Sequence, residues 1–194
     1  MNKMKVLIAC EFSGIVRDAF IAKGHDAWSC DILPTERPGP HIQGDVLDVM
    51  EHGWELMIAH PPCTYLAVSG ARYWKDRIPQ QKEALRFVKA LMNAPVGKIA
   101  IENPVGKIST SIRKPDQYIQ PYEHGHKISK KTGLWLKNLP LLKPSEVVEP
   151  EWIYYKNGGR CSPDHYKNAF AKNRSHLRSV TFQGIADAMA DQWG

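Results

Sequence analysis

The sequence predicts an α/β fold: a mostly parallel sheet with helices on both faces. Two observations carry this expectation. Short apolar segments of strand length alternate with segments of helical period over residues 5–101. The first of them, Lys5–Cys10, is a short apolar run rich in β-formers, as in a strand covered on both faces. At 194 residues and 22.0 kDa the chain suits one domain, and it is long enough to bury a core.

Lys5–Cys10 (KVLIAC) is the first strand candidate. Ser13–Lys23 reads as a helix, with Ser13 as N-cap, Ile15, Val16, Ala19 and Phe20 at helical spacing, and Gly24 as its stop. Asp26–Asp31 is the second strand. Three prolines and a glycine over Pro34–Pro40 break the chain. His41–Gln43 and Glu55–His60 are the third and fourth strands. Asp76–Ala94 carries Ala84, Leu85, Val88, Leu91 and Met92 on one helical face. Lys98–Ile101 is the fifth strand, with Glu102-Asn103-Pro104 expected just beyond its end. Prolines cut the segment after residue 105 into short strands and turns. Phe182–Trp193 closes as a helix with Ile185, Met189 and Trp193 in one stripe.

Composition excludes several classes. Hydrophobic residues make up 43% and charged residues 24%, the balance of a globular chain rather than a disordered one. No apolar run reaches membrane-spanning length, and Met1–Cys10 lacks a signal-peptide pattern, so an intracellular, membrane-free protein is expected. Cys10, Cys30, Cys63 and Cys161 form no Cys-x-x-Cys pair, which argues against a disulfide framework or zinc ribbon. His124, His126, Cys161 and His165 match no zinc-finger spacing, and no metal is expected. Charge is segregated. Residues 1–104 hold 12 Lys/Arg and 12 Asp/Glu, whereas residues 105–178 hold 14 against 6. A neutral first part and a basic second part suit a catalytic region joined to a polyanion-facing one, or simply a solvated basic surface.

Ligands of open parallel sheets bind beyond the carboxyl ends of the strands. Glu11, Phe12, Ser13 and Gly14, then Asp31, Gly44-Asp45, Pro61-Pro62-Cys63 and Glu102-Asn103-Pro104 all fall there. The turn into the first helix could present free backbone N–H groups to a carboxylate or phosphate. Asp31 could hold ribose hydroxyls or serve as a surface acid. Cys63, behind two rigid prolines, is either a nucleophile or a small buried thiol. Glu102 is either a proton donor or a capping acid.

Taken in order, Phe12-Ser13-Gly14, Asp31, Gly44-Asp45-Val46, Pro61-Pro62-Cys63 and Glu102-Asn103-Pro104 resemble the motif series of the DNA cytosine-5 methyltransferases. The tail Arg178-Ser179-Val180-Thr181 resembles that family's final motif, and the compactness resembles its phage-type members. Proline stands at 104 where the family usually has valine.

The resemblance implies a Rossmann-like, S-adenosylmethionine-dependent methyltransferase fold. In it, 1–104 forms the core, 105–178 is a short basic recognition segment completing the sheet, and 179–194 is a helix packing back. It implies that Cys63 attacks carbon 6 of a flipped-out cytosine in double-stranded DNA, that Glu102 holds the ring, and that Asn103 buttresses the loop. Lys131 or Arg174 would replace the family's arginine. Glu11, Phe12, Ser13, Gly14, Asp31, Asp45, Val46, Pro62 and Ser179 would bind the cofactor, S-adenosylmethionine. Tyr65, Ser69, Arg72, Lys75 and Lys130 would meet DNA, since aromatics mixed with cations suit stacking and phosphate contact. The implied setting is the cytoplasm of a bacterial host, with a phage-encoded gene. Two alternatives stand beside this reading: a non-catalytic DNA-binding protein of the same fold, and the same chemistry on RNA or a nucleotide.

Overall fold

The computed structural model describes residues 2–167 and 174–194. Its centre is a seven-stranded sheet made of β1 (Lys5–Ala9), β2 (Asp26–Asp31), β3 (His41–Gln43), β4 (Leu56–Ala59), β5 (Lys98–Pro104), β6 (Gln117–Ile119) and β7 (Thr132–Lys137). The order is β3-β2-β1-β4-β5-β7-β6. The first five strands are parallel, and β7 alone is reversed, pairing antiparallel with β5 and β6. The strand order turns back at β1, between β2 and β4, and a crevice opens there at the carboxyl edge.

Alternate residues of each strand feed opposite layers, because side chains of an extended chain point alternately up and down. Val6, Ile8, Leu56 and Ile58 pack beneath α1 (Ile15–Ala22) and α6 (Gln183–Trp193). Leu7, Met57, Ile99 and Ile101 pack against α2 (Ile78–Met92) through Val88 and Leu91. Ile185, Met189 and Trp193 of α6 are all buried. The remaining elements are short: α3 (Lys107–Ser111), the hairpin β8 (Ile153–Tyr154) and β9 (Arg160–Cys161), α4 (Pro163–Lys167) and α5 (Arg174–Ser179).

The structure redraws several expected boundaries. The first helix begins at Ile15 behind Gly14, which adopts the left-handed conformation that terminates β-to-helix turns cheaply only in glycine. Its N-cap is therefore Gly14 and not Ser13. The second helix starts at Ile78, with Pro79 in its first turn, and is preceded by a 3-10 stretch over Val68–Arg77. β5 runs on through Glu102, Asn103 and Pro104, since β7 supplies an antiparallel partner that the residues after 101 cannot reveal by themselves. β7 is itself six residues long and carries the fully buried Trp135, so the segment after 105 holds a central strand as well as short pieces.

A buried arginine fixes the loop between β2 and β3. Arg17 is wholly inaccessible, and its guanidinium donates to Asp18, Ser29, Thr35 and the carbonyls of Arg37 and Pro38. A Cβ on Gly14 would stand 2.6 Å from its Nη2 atom. Replacing Arg17 with Met strands those acceptors and is expected to cost about 2–3 kcal/mol. At about 2–4 °C per kcal/mol for a chain of this size, circular dichroism melting should fall by roughly 4–12 °C.

Candidate functional site

The sites of interest gather at the carboxyl edge of β1, β2, β4 and β5. A wide cavity of about 1010 Å³ lies over the crevice, bordered by Phe12, Asp31, Asp45, Val46, Pro62 and Cys63 among others. A narrow recess of about 90 Å³ adjoins it, lined by Cys63, Glu102, Asn103, Thr132 and Phe182. His60, Pro62, Cys63, Lys130, Arg178 and Ser179 wall both.

Two side-chain contacts across the β4 and β5 exits build the recess. Asn103, 1% exposed, donates from Nδ2 to the Pro61 carbonyl at 2.7 Å. His60 donates from Nδ1 to Glu102 Oε2, also at 2.7 Å. Pro61 is buried, and the Cys63 carbonyl accepts from Leu66 and Ala67 N–H, so the thiol sits on a tightly wound loop. That loop is pinned from outside by Gly106, whose position a side chain would drive into the Leu66 carbonyl.

The electrostatics follow from burial and these partners. Burial would lower the His60 pKa, but the hydrogen bond and charge of Glu102 outweigh it and leave it raised. Burial would raise Glu102, but His60 and then Lys130 hold its carboxyl below the usual range. Glu102 therefore favours folding above its ordinary pKa of 4.5 and loses that effect as pH falls through its depressed value. His60 favours folding below its ordinary 6.5 and loses that effect as pH rises through its raised value. Burial, then the Glu102 charge, push the Cys63 thiol up, while Lys130 and Arg178 oppose them. In the wide cavity, burial pushes Cys30 up to about 11 and Cys10 higher still.

The sequence-predicted residues divide in two. Cys63, Glu102, Asn103, Phe12, Asp31, Asp45, Val46, Pro62, Ser179, Ser69 and Lys130 all border the cavity or the recess. Glu11, Ser13 and Gly14 border neither and instead build the turn. The Glu11 carboxylate accepts from the N–H groups of Val16 and Arg17 and from the Ser13 hydroxyl. The helix N-terminus expected to meet an external anion thus holds the chain's own carboxylate. Lys131 also lies outside: it is exposed, with its ammonium 4.2 Å from the Tyr118 ring centre, while its neighbour Lys130 faces Cys63 and Glu102. Arg174 opens α5, but its side chain lies outside the described residues.

In the loop after Cys63, Arg72 stacks over Tyr73 and Arg77 lies over both Tyr65 and Tyr73. Lys75 is exposed. Tyr73 and Arg77 border the wide cavity; Arg72, Lys75 and Tyr65 do not. Elsewhere, His124 is bonded to Ser145, His126 accepts from Gly184 N–H, and Cys161 accepts from the Tyr155 hydroxyl.

His60 is a functional candidate that sequence reasoning passes over, and Arg178, which the sequence offers only as part of the final-motif tail, gains a place at the site. His60 could have been found as a histidine at the exit of an otherwise apolar strand, directly before two prolines. Arg178 is carried in by α5, where His176 packs 5.1 Å from the Phe12 ring and bonds Glu36. Lys130 Nζ donates to the Arg178 carbonyl at 2.8 Å and fastens this helix to the recess.

Because Lys130 and Arg178 favour the thiolate, Lys130→Ala should slow alkylation of Cys63 by iodoacetamide at pH 8. The wild-type rate should still be rising above pH 9. Peptide-resolved mass spectrometry separates Cys63 from the other thiols. No protein-family model matches the chain, and a search of characterised proteins returns no match.

Proposed function

We propose that the protein is a DNA cytosine-5 methyltransferase that uses S-adenosylmethionine. One observation carries this reading. Cys63 and Glu102, from adjacent strand exits, face a single narrow recess, and that recess opens onto a cavity edged by the acids Asp31 and Asp45.

The cofactor fits the residues present. The cavity is large enough for a nucleoside-sized ligand, Asp31 stands at the end of β2 where ribose hydroxyls are held in nucleotide-binding sheets, and Phe12 and Val46 offer apolar surface. Asp31, Phe12, Asp45 and Val46 would hold it. When bound, S-adenosylmethionine supplies an electrophilic methyl group.

The chain's own residues do the rest. Carbon 5 of cytosine is a poor nucleophile. Addition of the Cys63 thiolate to carbon 6 makes carbon 5 enamine-like and splits one difficult step into two. Glu102 holds ring nitrogen 3 and the exocyclic amine, so that charge arriving on the ring is met by a fixed partner. Asn103 keeps the Pro61–Cys63 loop at the distance this needs. Lys130 and Arg178 favour the thiolate and offer charge to a phosphate. The base must leave the stack to enter so narrow a recess.

Duplex DNA containing 5-fluorocytosine tests the reading, because fluorine on carbon 5 cannot leave as a proton and the adduct persists. Wild-type protein with S-adenosylmethionine should give a covalent band on a denaturing gel. Cys63→Ala should give none, and Glu102→Gln should form the adduct about 100-fold more slowly. No band from protein that binds the cofactor would exclude cytosine in DNA as substrate. Calorimetric titration with S-adenosylmethionine should show Asp31→Ala binding about tenfold more weakly or worse.

A further inference from the structure

We infer that His60 is a positioning residue that supplies Glu102 with the proton it hands to the substrate ring, the two side chains working as a one-proton pair. The inference rests on the reading of Cys63 and Glu102 given above. It comes from the geometry around the imidazole. Nδ1 lies 2.7 Å from Glu102 Oε2, and the two side chains are 9% and 19% exposed. Nε2 is buried and has no hydrogen-bond partner among the described residues. Most buried side-chain polar atoms are bonded. Among the described residues His25 Nε2 shares the unpartnered state, but its Nδ1 accepts from a backbone N–H and not from an acid. At His60 one nitrogen grips the carboxylate, while the ring forms part of the wall between recess and cavity.

The charged neighbours come from every side. Glu102 is on β5, Glu11 is in the turn after β1, Lys130 precedes β7, and Cys63 and Arg178 close the recess. Glu102 in contact with the ring, and the Glu11 charge farther off, favour a proton on the imidazole, and the Lys130 ammonium opposes it. A base filling the recess displaces water and lowers the local dielectric, which favours the neutral form of both partners. The proton then passes from Nδ1 to Glu102.

The addition balances as follows. The Cys63 sulfur forms a bond to carbon 6. The carbon 5–carbon 6 π pair shifts through carbon 4 onto nitrogen 3. Nitrogen 3 takes the proton from Glu102, leaving a carboxylate beside a neutral His60 that keeps its Nε2 proton. After carbon 5 has taken the methyl group, water takes the carbon 5 proton, and the carbon 5–hydrogen pair forms the carbon 5–carbon 6 double bond. The sulfur–carbon 6 bond breaks with Cys63 leaving as thiolate, and the nitrogen 3 proton returns through Glu102 to Nδ1. The pair neither gains nor loses a proton over the cycle.

The test is the pH dependence of adduct formation on duplex 5-fluorocytosine DNA, with full-length protein and S-adenosylmethionine. The wild-type rate should rise as Cys63 ionises and fall as the pair loses its proton. His60→Asn keeps a donor near the Nδ1 position but carries no titratable proton. Its falling limb should move down by about one pH unit, so that the ratio of rates at pH 8 and pH 6 drops about tenfold. An unchanged falling limb in His60→Asn overturns the inference and leaves the methyltransferase reading intact. No wild-type adduct at all overturns both.

A second measurement needs neither activity nor the His60 variant. Nitrogen-15 spectra of the His60 ring should show it losing its proton at higher pH in the wild type than in Glu102→Gln. A ring that titrates identically in the two proteins overturns the inference.

Discussion

Two side-chain hydrogen bonds across the exits of β4 and β5 set the geometry on which the site depends. Parallel pairing brings these strands side by side, with Ala59 opposite Ile101; beyond that pair β4 ends while β5 continues to Pro104 against β7, and the Pro61–Cys63 loop is left to diverge from it. Asn103 and Glu102 prevent that divergence by taking hold of the Pro61 carbonyl and the His60 ring. Both contacts are largely shielded from water, where an unmade partner is costly. The thiol of Cys63 is thereby fixed beside the carboxyl group of Glu102. The prolines at 61 and 62 remove two backbone donors and narrow the loop's conformations, so little entropy remains to be lost when the contacts form.

A second constraint acts on the other side of the crevice. Arg17 occupies the space under the β2–β3 loop and satisfies its carbonyls, while Glu11 closes the front of α1. Glu11 takes up the Val16 and Arg17 N–H groups of the first turn, and Arg17 takes up the carbonyls of the loop. The wide cavity is therefore edged by Phe12, Asp31 and Asp45, with the turn itself withdrawn behind them. Such an arrangement gives a ligand apolar contact and acidic partners rather than a nest of amide groups, and this suits ribose hydroxyls better than phosphate.

Much of the architecture was legible in the sequence because it follows from local pattern. Continuous apolar runs of four or five residues specify strands covered on both faces, as Val6–Ala9 and Leu56–Ala59 show. The spacing of Val88 and Leu91, and of Ile185, Met189 and Trp193, specifies the buried helix faces. Proximity to strand ends brought Cys63, Glu102, Asp31 and Asp45 to notice. What the pattern could not carry were relations between distant residues. The reversal of β7, the extension of β5 through Pro104, and the preference for Lys130 over Lys131 at the recess all depend on antiparallel register.

By itself, then, the sequence determined the strand and helix periods, the polar residues at five strand ends, and the segregation of positive charge into residues 105–178. Only the tertiary structure decided which of those residues meet. It turned Glu11 inward as a helix cap, set Lys131 against Tyr118, and brought Arg178 over Cys63. It joined His60 to Glu102 across 42 positions of chain. The physical reason is that period and propensity act over a few neighbouring residues, whereas the partners of a buried charge are chosen by packing, once the sheet has fixed which chain segments lie side by side.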